Sequence, residues 1–222
     1  MPVTSESRKL IPEQRREEIV SAAVKLFCEK GYEGTTIRDI ARAVGVTEGL
    51  LYHYFPSKAE LIAECWRRCS WHSRAVAIVN QAGDRPVAEV LHELIRDHLA
   101  SLYANGPSFR MHAAEMLRDG ELASMSQHYI HETHTAVADF LRRHQQAGSI
   151  SADVDPDVVA HVIIGTNSTF FVLHGMLPKD RWQVGSAELA AKLTRLLIRS
   201  LGLNVNADPV TTASATDQGK LK

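Results

Sequence analysis

The sequence predicts an all-α protein, and three observations carry that prediction. Apolar residues recur at helical spacing along almost the whole chain, and no stretch alternates with the two-residue period of a strand. The periodic runs are opened by Ser/Thr-x-x-Asp/Glu pairs and closed by Gly or Pro, the grammar of helix ends. A chain of 222 residues, 45% hydrophobic, has enough apolar surface to bury a substantial helical core.

Each element follows in order. The first helix runs from Pro12 to Lys30, with Pro in the first turn and Gly31 as the stop. Its apolar stripe is Ile19, Ala22, Ala23, Leu26 and Phe27. Thr36 and Asp39 form a capping box for a short second helix, whose apolar face is Ile37, Ile40, Ala41 and Val44. Gly45 stands where a left-handed exit turn needs glycine. Thr47 caps a short third helix lasting to Tyr54, and Pro56 ends it. Ser57 and Glu60 open a long fourth helix expected to reach Gln81. Further helices are expected at Pro86–Asn105, Ser108–Asp119, Glu121–Ala147, Pro156–Leu177 and Ser186–Leu201. The breaks between them are Gly83, Gly106-Pro107, Gly120, Gly148, Asp155-Pro156 and Pro178. Residues 204–222 have little to bury and are expected to form a disordered tail. The domains expected are 1–56 and 57–203, ahead of that tail.

Composition excludes several classes. Lys plus Arg number 25 against 26 Asp plus Glu, so a nucleic-acid surface must come from sorting of charge, not from an excess. Three cysteines, an odd number, argue against a disulfide framework and fit a reducing cytoplasm. No apolar run near Met1 resembles a signal, and the richest segment, 158–177, is interrupted by His161, Asn167 and His174, so no membrane span is expected.

Two short helices joined by a Gly turn and braced by a longer one have the layout of a helix-turn-helix DNA-binding unit. Ile37, Ile40, Ala41, Val44, Val46 and Leu50 are expected to bury the inner faces, leaving the outer face of the third helix for a major groove. Tyr52, His53 and Tyr54 stand in a row. Successive helical residues point about 100° apart, so all three cannot face one core. Leu51 and Phe55 are expected in the core, with Tyr54 half in it.

The stretch GYEGTTIRDIARAVGVTEGLLYHYFPSKAELI, residues 31–62, resembles the DNA-binding signature of the tetracycline-repressor (TetR) family. Thr-Thr, Ile-Ala, the Gly-Val turn, Leu-Tyr, the aromatic pair and Ser-Lys all fall at that family's spacing. The match covers about the first quarter of the chain; the remainder agrees only in length and helical character.

The resemblance implies roles. Thr36 and Thr47 would sit by phosphates at helix N-termini. Gly49 would let the backbone approach the groove, Tyr52 and His53 would touch base edges or adjacent phosphates, and Tyr54 and Lys58 the phosphate backbone. Arg38 would reach a guanine edge or a phosphate. Glu48 suits its helix N-terminus but sets a negative charge where phosphates would lie, so it is expected to cost affinity or to select a base by accepting from a cytosine amino group. Arg8 and Lys9 would act as a mobile arm. It implies a homodimer through the last two helices, on a palindromic double-stranded operator. The apolar excess of Val158, Val159, Val162, Ile163, Phe170, Val172 and Leu173, with Leu189, Leu193, Leu196, Leu197 and Leu201, suits that seam.

A small, largely apolar effector is expected between the middle helices. Periodicity turns His72, His98 and His112 inward, either as core residues or as pocket groups alongside Asn167 and Tyr103. Trp66, Cys69, Phe109, Met116, Phe140 and Phe171 are the expected apolar lining. His128 and His131 lie opposite the apolar stripe of their helix and are expected in solvent. The overall expectation is a ligand-responsive repressor. Cys65, Cys69 and His72, at i, i+4 and i+7, offer the alternative of a metal- or thiol-responsive regulator. An enzyme using Cys69 and His72 is the distant alternative, and no phosphate loop, metalloprotease motif or nucleophile elbow supports it. No catalytic residue, cofactor or resident metal is expected.

Overall fold

The computed structural model describes residues 11–117 and 121–203, with only the backbone course at 121 and 122. The regular structure among them is helical: α1 Pro12–Lys30, α2 Ile37–Val44, α3 Glu48–Tyr54, α4 Lys58–Cys69, α5 His72–Asn80, α6 Val87–Ala104, α7 Gly106–Met116, α8 Glu121–Gln146, α9 Pro156–His174 and α10 Lys179–Ser200. Arg8, Lys9, Gly120 and the tail expected at 204–222 lie outside the described residues.

The described residues fall into two compact units. The first holds 11–69, 107–117 and 121–123; the second holds 70–106 and 124–203. In the first, α1 packs on α2 and α4, and α2 on α3. Ile19, Val20, Ala23 and Phe27 of α1 meet Ile40, Leu51, Leu61 and Ile62 in a fully buried core. Packing therefore groups α4 with α1, beyond the 1–56 expected for the DNA-binding part. In the second unit, α6 is the central helix and packs against α5, α9 and α10. Its Leu91, Leu94, Ile95 and Leu99 are buried with Ile163 of α9 and Leu197 of α10.

Three element boundaries differ from the sequence expectation. The long fourth helix is two helices, α4 and α5, broken at Ser70-Trp71. Trp71 is buried; its indole N–H donates to Asp97 at 2.8 Å, and its ring stacks on His98 at 4.2 Å. These contacts come from residues far along the chain, so no local signal marks the break. Gly106-Pro107, expected as a break, instead begins α7, where proline's missing N–H costs nothing. Finally, α10 starts seven residues before the expected Ser186, at Lys179. Gly185 does not stop it: a Cβ there would lie 3.3 Å from the Phe170 ring, so the glycine serves close helix approach.

Burial also corrects two expectations. Leu50 is 39% exposed, because Leu51 and Phe55, four residues apart, take the inner line of α3 instead. Several expected seam residues, namely Val159, Ile163, Leu193, Leu197 and Leu201, are buried within the second unit. By length and composition alone, α9 is long and apolar enough to cross a membrane. Its Asn167, however, is fully buried and donates to the carbonyl of Ile95 at 3.1 Å.

Candidate nucleic-acid interface and effector residues

The candidate reading helix is presented by a rigid turn. Gly45 takes the left-handed conformation, φ 73° and ψ 36°, which L side chains adopt only at a cost. Its N–H reaches the Arg42 carbonyl at 3.3 Å, and the Val46 N–H reaches that of Ala41 at 2.9 Å, so the last carbonyls of α2 are satisfied as the chain turns. Thr47 then starts α3, its Oγ1 accepting from the Leu50 N–H at 3.1 Å. With Leu51 wholly buried and Phe55 nearly so, the far side of this seven-residue helix points outward. That side carries Glu48, Gly49, Tyr52 and His53, all exposed, and Tyr52 keeps 47% of its surface. Tyr54 is half-buried, edge-on to His53 at 5.6 Å.

Around α3 the charged and hydroxyl groups are already engaged in ways that matter for an anion. The expected capping box is present: Asp39 N–H donates to Thr36 Oγ1 at 3.1 Å, and Thr36 N–H donates to the Asp39 carboxylate at 3.2 Å. The Thr36 hydroxyl also donates to that carboxylate at 2.8 Å. These bonds, the hydroxyl's foremost, hold the Asp39 carboxyl below the usual carboxylate range. A phosphate at this helix end would therefore meet backbone N–H groups beside a fixed negative charge, as it would at Glu48. Lys30 lies 3.9 Å from Asp39 and partly offsets it. Arg38 is exposed.

Lys58, the first residue of α4, is held at 4.0 Å over the ring of Tyr32, which in turn stacks on the buried Phe27 at 5.8 Å. Sequence reasoning missed Tyr32, because its partner is 26 positions away and nothing local pairs them. Thr35 was missed likewise: it is buried, its hydroxyl within reach of the Gly31 and Leu26 carbonyls at 2.8 and 3.1 Å. Arg16 lies 5.0 Å over the Phe55 ring and binds Glu64 at 3.0 Å. Arg67 first, then Arg16, pull the Glu64 carboxyl down to about 2 despite partial burial.

Of the expected effector residues, the first unit brings Trp66 and His112 together, ring centroids 4.7 Å apart. The Trp66 indole N–H and His112 Nε2 are buried and have no partner, a costly arrangement unless something else fills it. Burial pushes the His112 imidazole down to about 4, so it is neutral at ordinary pH. Cys69, Phe109 and Met116 are half-buried.

The second unit brings His98 and Asn167 together. The Asn167 amide donates to the Ile95 carbonyl and lies 3.4 Å from His98 Nδ1, while Asn167 Oδ1 is buried with no partner. Burial, aided by the charge of His134, pulls His98 down to about 3. Phe140 and Phe171 are core residues. His72, expected among apolar neighbours, is half-buried and bonded to Thr133 Oγ1 at 3.0 Å, with Glu132 at 3.8 Å. Tyr103 joins neither group; it stacks on Trp182 at 5.1 Å and lines a cavity of about 410 Å³. His128 and His131 are exposed.

The thiol and metal alternative gains nothing from the geometry. Among the described residues no three His, Cys, Asp or Glu side chains are grouped to hold a metal ion. Burial raises the Cys65 thiol far above its ordinary range and raises Cys28 as well, which suppresses the reactive thiolate.

Comparison with known proteins follows the same division of the chain. Residues 19–65 match the family described as bacterial regulatory proteins, tetR family. The HTH-type transcriptional repressor KstR2 of Mycolicibacterium smegmatis is 41% identical over 56 residues, 25% of this chain and 27% of that protein. The HTH-type transcriptional regulator HbdR of Aromatoleum sp. is 31% identical over 119 residues, 49% of this chain and 52% of that protein. The matches thus span between about a quarter and a half of these relatives. Among solved structures, Salmonella enterica GusR superposes with a TM-score of 0.72 at 23% identity, covering 88% of this chain and 99% of that one. FadR from Bacillus subtilis, solved in complex with stearoyl-CoA, superposes with a TM-score of 0.65 at 20% identity, covering 83% and 98%. At such identities the superpositions establish a shared fold.

Proposed function

Because residues 19–65 match the family described as bacterial regulatory proteins, tetR family, we propose that this chain is a cytoplasmic, ligand-responsive transcriptional repressor. It binds a palindromic DNA operator as a homodimer and releases it when a small, largely apolar effector binds. The observation that carries the reading is the outward face of α3, with Tyr52 and His53 exposed and Leu51 locked beneath them. A buried face fixes the helix; an exposed aromatic and imidazole face is left for base edges.

Roles follow from position. Tyr52, His53 and Glu48 read bases, Gly49 admits the backbone, and Arg38, Thr36, Thr47, Tyr54 and Lys58 position phosphates. One such unit covers few base pairs, so affinity comes from two units spaced about 34–36 Å, or a multiple of that, along the duplex. Exposed Val158, Val172, Leu173 and Met176, with Val184 and Leu196 of α10, form the surface for pairing. The unpartnered Trp66 N–H and His112 Nε2 support an effector subsite in the first unit; unpartnered Asn167 Oδ1 supports a polar contact in the second. FadR of Bacillus subtilis was solved with stearoyl-CoA, whose acyl chain is apolar while its CoA part is anionic. The effector shifts the DNA-competent state only by its difference in affinity for the two conformations.

Selection of bound duplexes from a random pool by the full-length protein tests the reading. A palindromic consensus is expected, bound about 10³-fold or more tighter than random DNA at physiological salt. Enrichment of no sequence would overturn it.

A further inference from the structure

The second unit holds a cavity that the operator and effector reading leaves unused. It measures about 410 Å³ and lies between α6 and the start of α10. Arg96 and Lys179 border it, Tyr103 and Trp182 form its aromatic side, and Gln183 and Ser186 add hydrogen-bonding groups. An adjoining hollow of about 550 Å³ shares Arg96 and extends along α6.

We propose that this cavity binds a planar aromatic anion, its acid group between Arg96 and Lys179 and its ring against Tyr103. Two features point there. First, both cations are uncompensated. Neither makes an ion pair among the described residues, although carboxylates are near. Asp97 is engaged by the Trp71 indole and by Arg74, and Glu93 by Arg85 at 2.7 Å. Asp180 and Glu89 are exposed and have no ion-pair partner of their own, so they weaken the local field without occupying either cation. A guanidinium and an ammonium bordering one cavity, neither in an ion pair among the described residues, suit a carboxylate or a phosphate.

Second, the ring surface is prebuilt. Trp182 is buried against Phe170 at 5.3 Å and Phe171 at 5.9 Å, and Tyr103 stacks on it at 5.1 Å, 21° from parallel. The Tyr103 hydroxyl donates to the Leu177 carbonyl at 3.4 Å, which sets the ring's orientation. Rings held this way offer a stacking face at little entropic cost. A volume of about 410 Å³ falls in the range of small-molecule sites. An aryl carboxylate and a nucleotide phosphate share this chemistry, and the test separates them.

Isothermal titration of the full chain with 1-naphthoate, AMP and acetate decides the matter, with circular-dichroism melts to verify folding of each variant. Saturable binding of 1-naphthoate or AMP, one per chain, is expected, and which of them binds identifies the source. Arg96→Gln and Lys179→Gln, both exposed and free of packing duties, should each weaken it about tenfold or more. Tyr103→Leu should weaken it several-fold. Acetate, lacking a ring, should bind too weakly to measure. The proposal is overturned if neither aromatic anion saturates at millimolar concentration, if both cation variants bind as the parent does, or if acetate binds as well as 1-naphthoate. It does not depend on DNA binding, so failure of operator selection leaves it standing, and its failure leaves the operator reading untouched.

Discussion

Tyr52 and Leu51 are neighbours with opposite duties, and substitution separates them. Tyr52→Ala is expected to cost operator affinity in a binding assay while moving stability by no more than about 0.5 kcal/mol, as for an exposed side chain. Leu51→Ala, which empties a wholly buried position, should cost about 2–5 kcal/mol in denaturant unfolding. Under the proposed roles, Lys58→Ala would remove a phosphate contact and no base contact. Its effect should be equal across operator sequences and should lower the salt slope by about 1. His98 supplies a pH signature. Its folded-state value of about 3 lies below the ordinary 6.5, because burial disfavours the imidazolium. Below about 6.5 the unfolded chain takes up a proton that the native chain refuses. The stabilisation is therefore complete above 6.5 and is lost progressively as pH falls toward 3. Urea midpoints across this window should fall less steeply in His98→Gln.

At the scale of elements, end signals were the most legible feature of the sequence. The Thr36 and Asp39 box, the Thr47 cap and the left-handed Gly45 all stand where the residues placed them, because each depends on atoms three or four positions away. Gly45→Ala should cost about 1–2 kcal/mol from backbone strain alone, since nothing lies within 4 Å of the added carbon. A thermal melt of that variant checks it. What failed was any boundary set by a remote partner. Trp71 breaks the expected fourth helix for the sake of Asp97 and His98, and Trp182 draws α10 forward into the aromatic group of Tyr103, Phe170 and Phe171. Trp71 and Trp182 announce themselves in sequence only as large apolar residues, without a direction.

For the whole molecule, the apolar excess of α9 and α10 was legible, but its allocation was not. Periodicity counted Val159, Ile163, Leu193 and Leu197 toward a subunit seam, whereas packing takes them inside and leaves Val158, Val172, Leu173 and Leu196 outside. A charged residue on that exposed surface should separate subunits without unfolding them. Leu173→Glu is expected to halve the mass measured by light scattering, keep the helical circular-dichroism signal and abolish high-affinity operator binding. The expected effector group divides in a similar way. Trp66 with His112 and His98 with Asn167 are real pairs, while Tyr103 borders a separate cavity. Inward direction is a property of one helix, but which inward residues meet depends on how helices pack.

The sequence alone determined the all-helical class, the helix-turn-helix with its caps and its outward aromatic face, and the family resemblance of residues 31–62. All of these rest on interactions within one or two helical turns. Only the tertiary structure decided which apolar residues are core and which remain exposed, and that Lys58 rests on Tyr32. It also decided that Trp66, His112 and Asn167 keep unpartnered polar atoms, and that Arg96 and Lys179 flank an aromatic cavity. Those outcomes join residues tens of positions apart, and no periodicity along one helix encodes the identity of its neighbour.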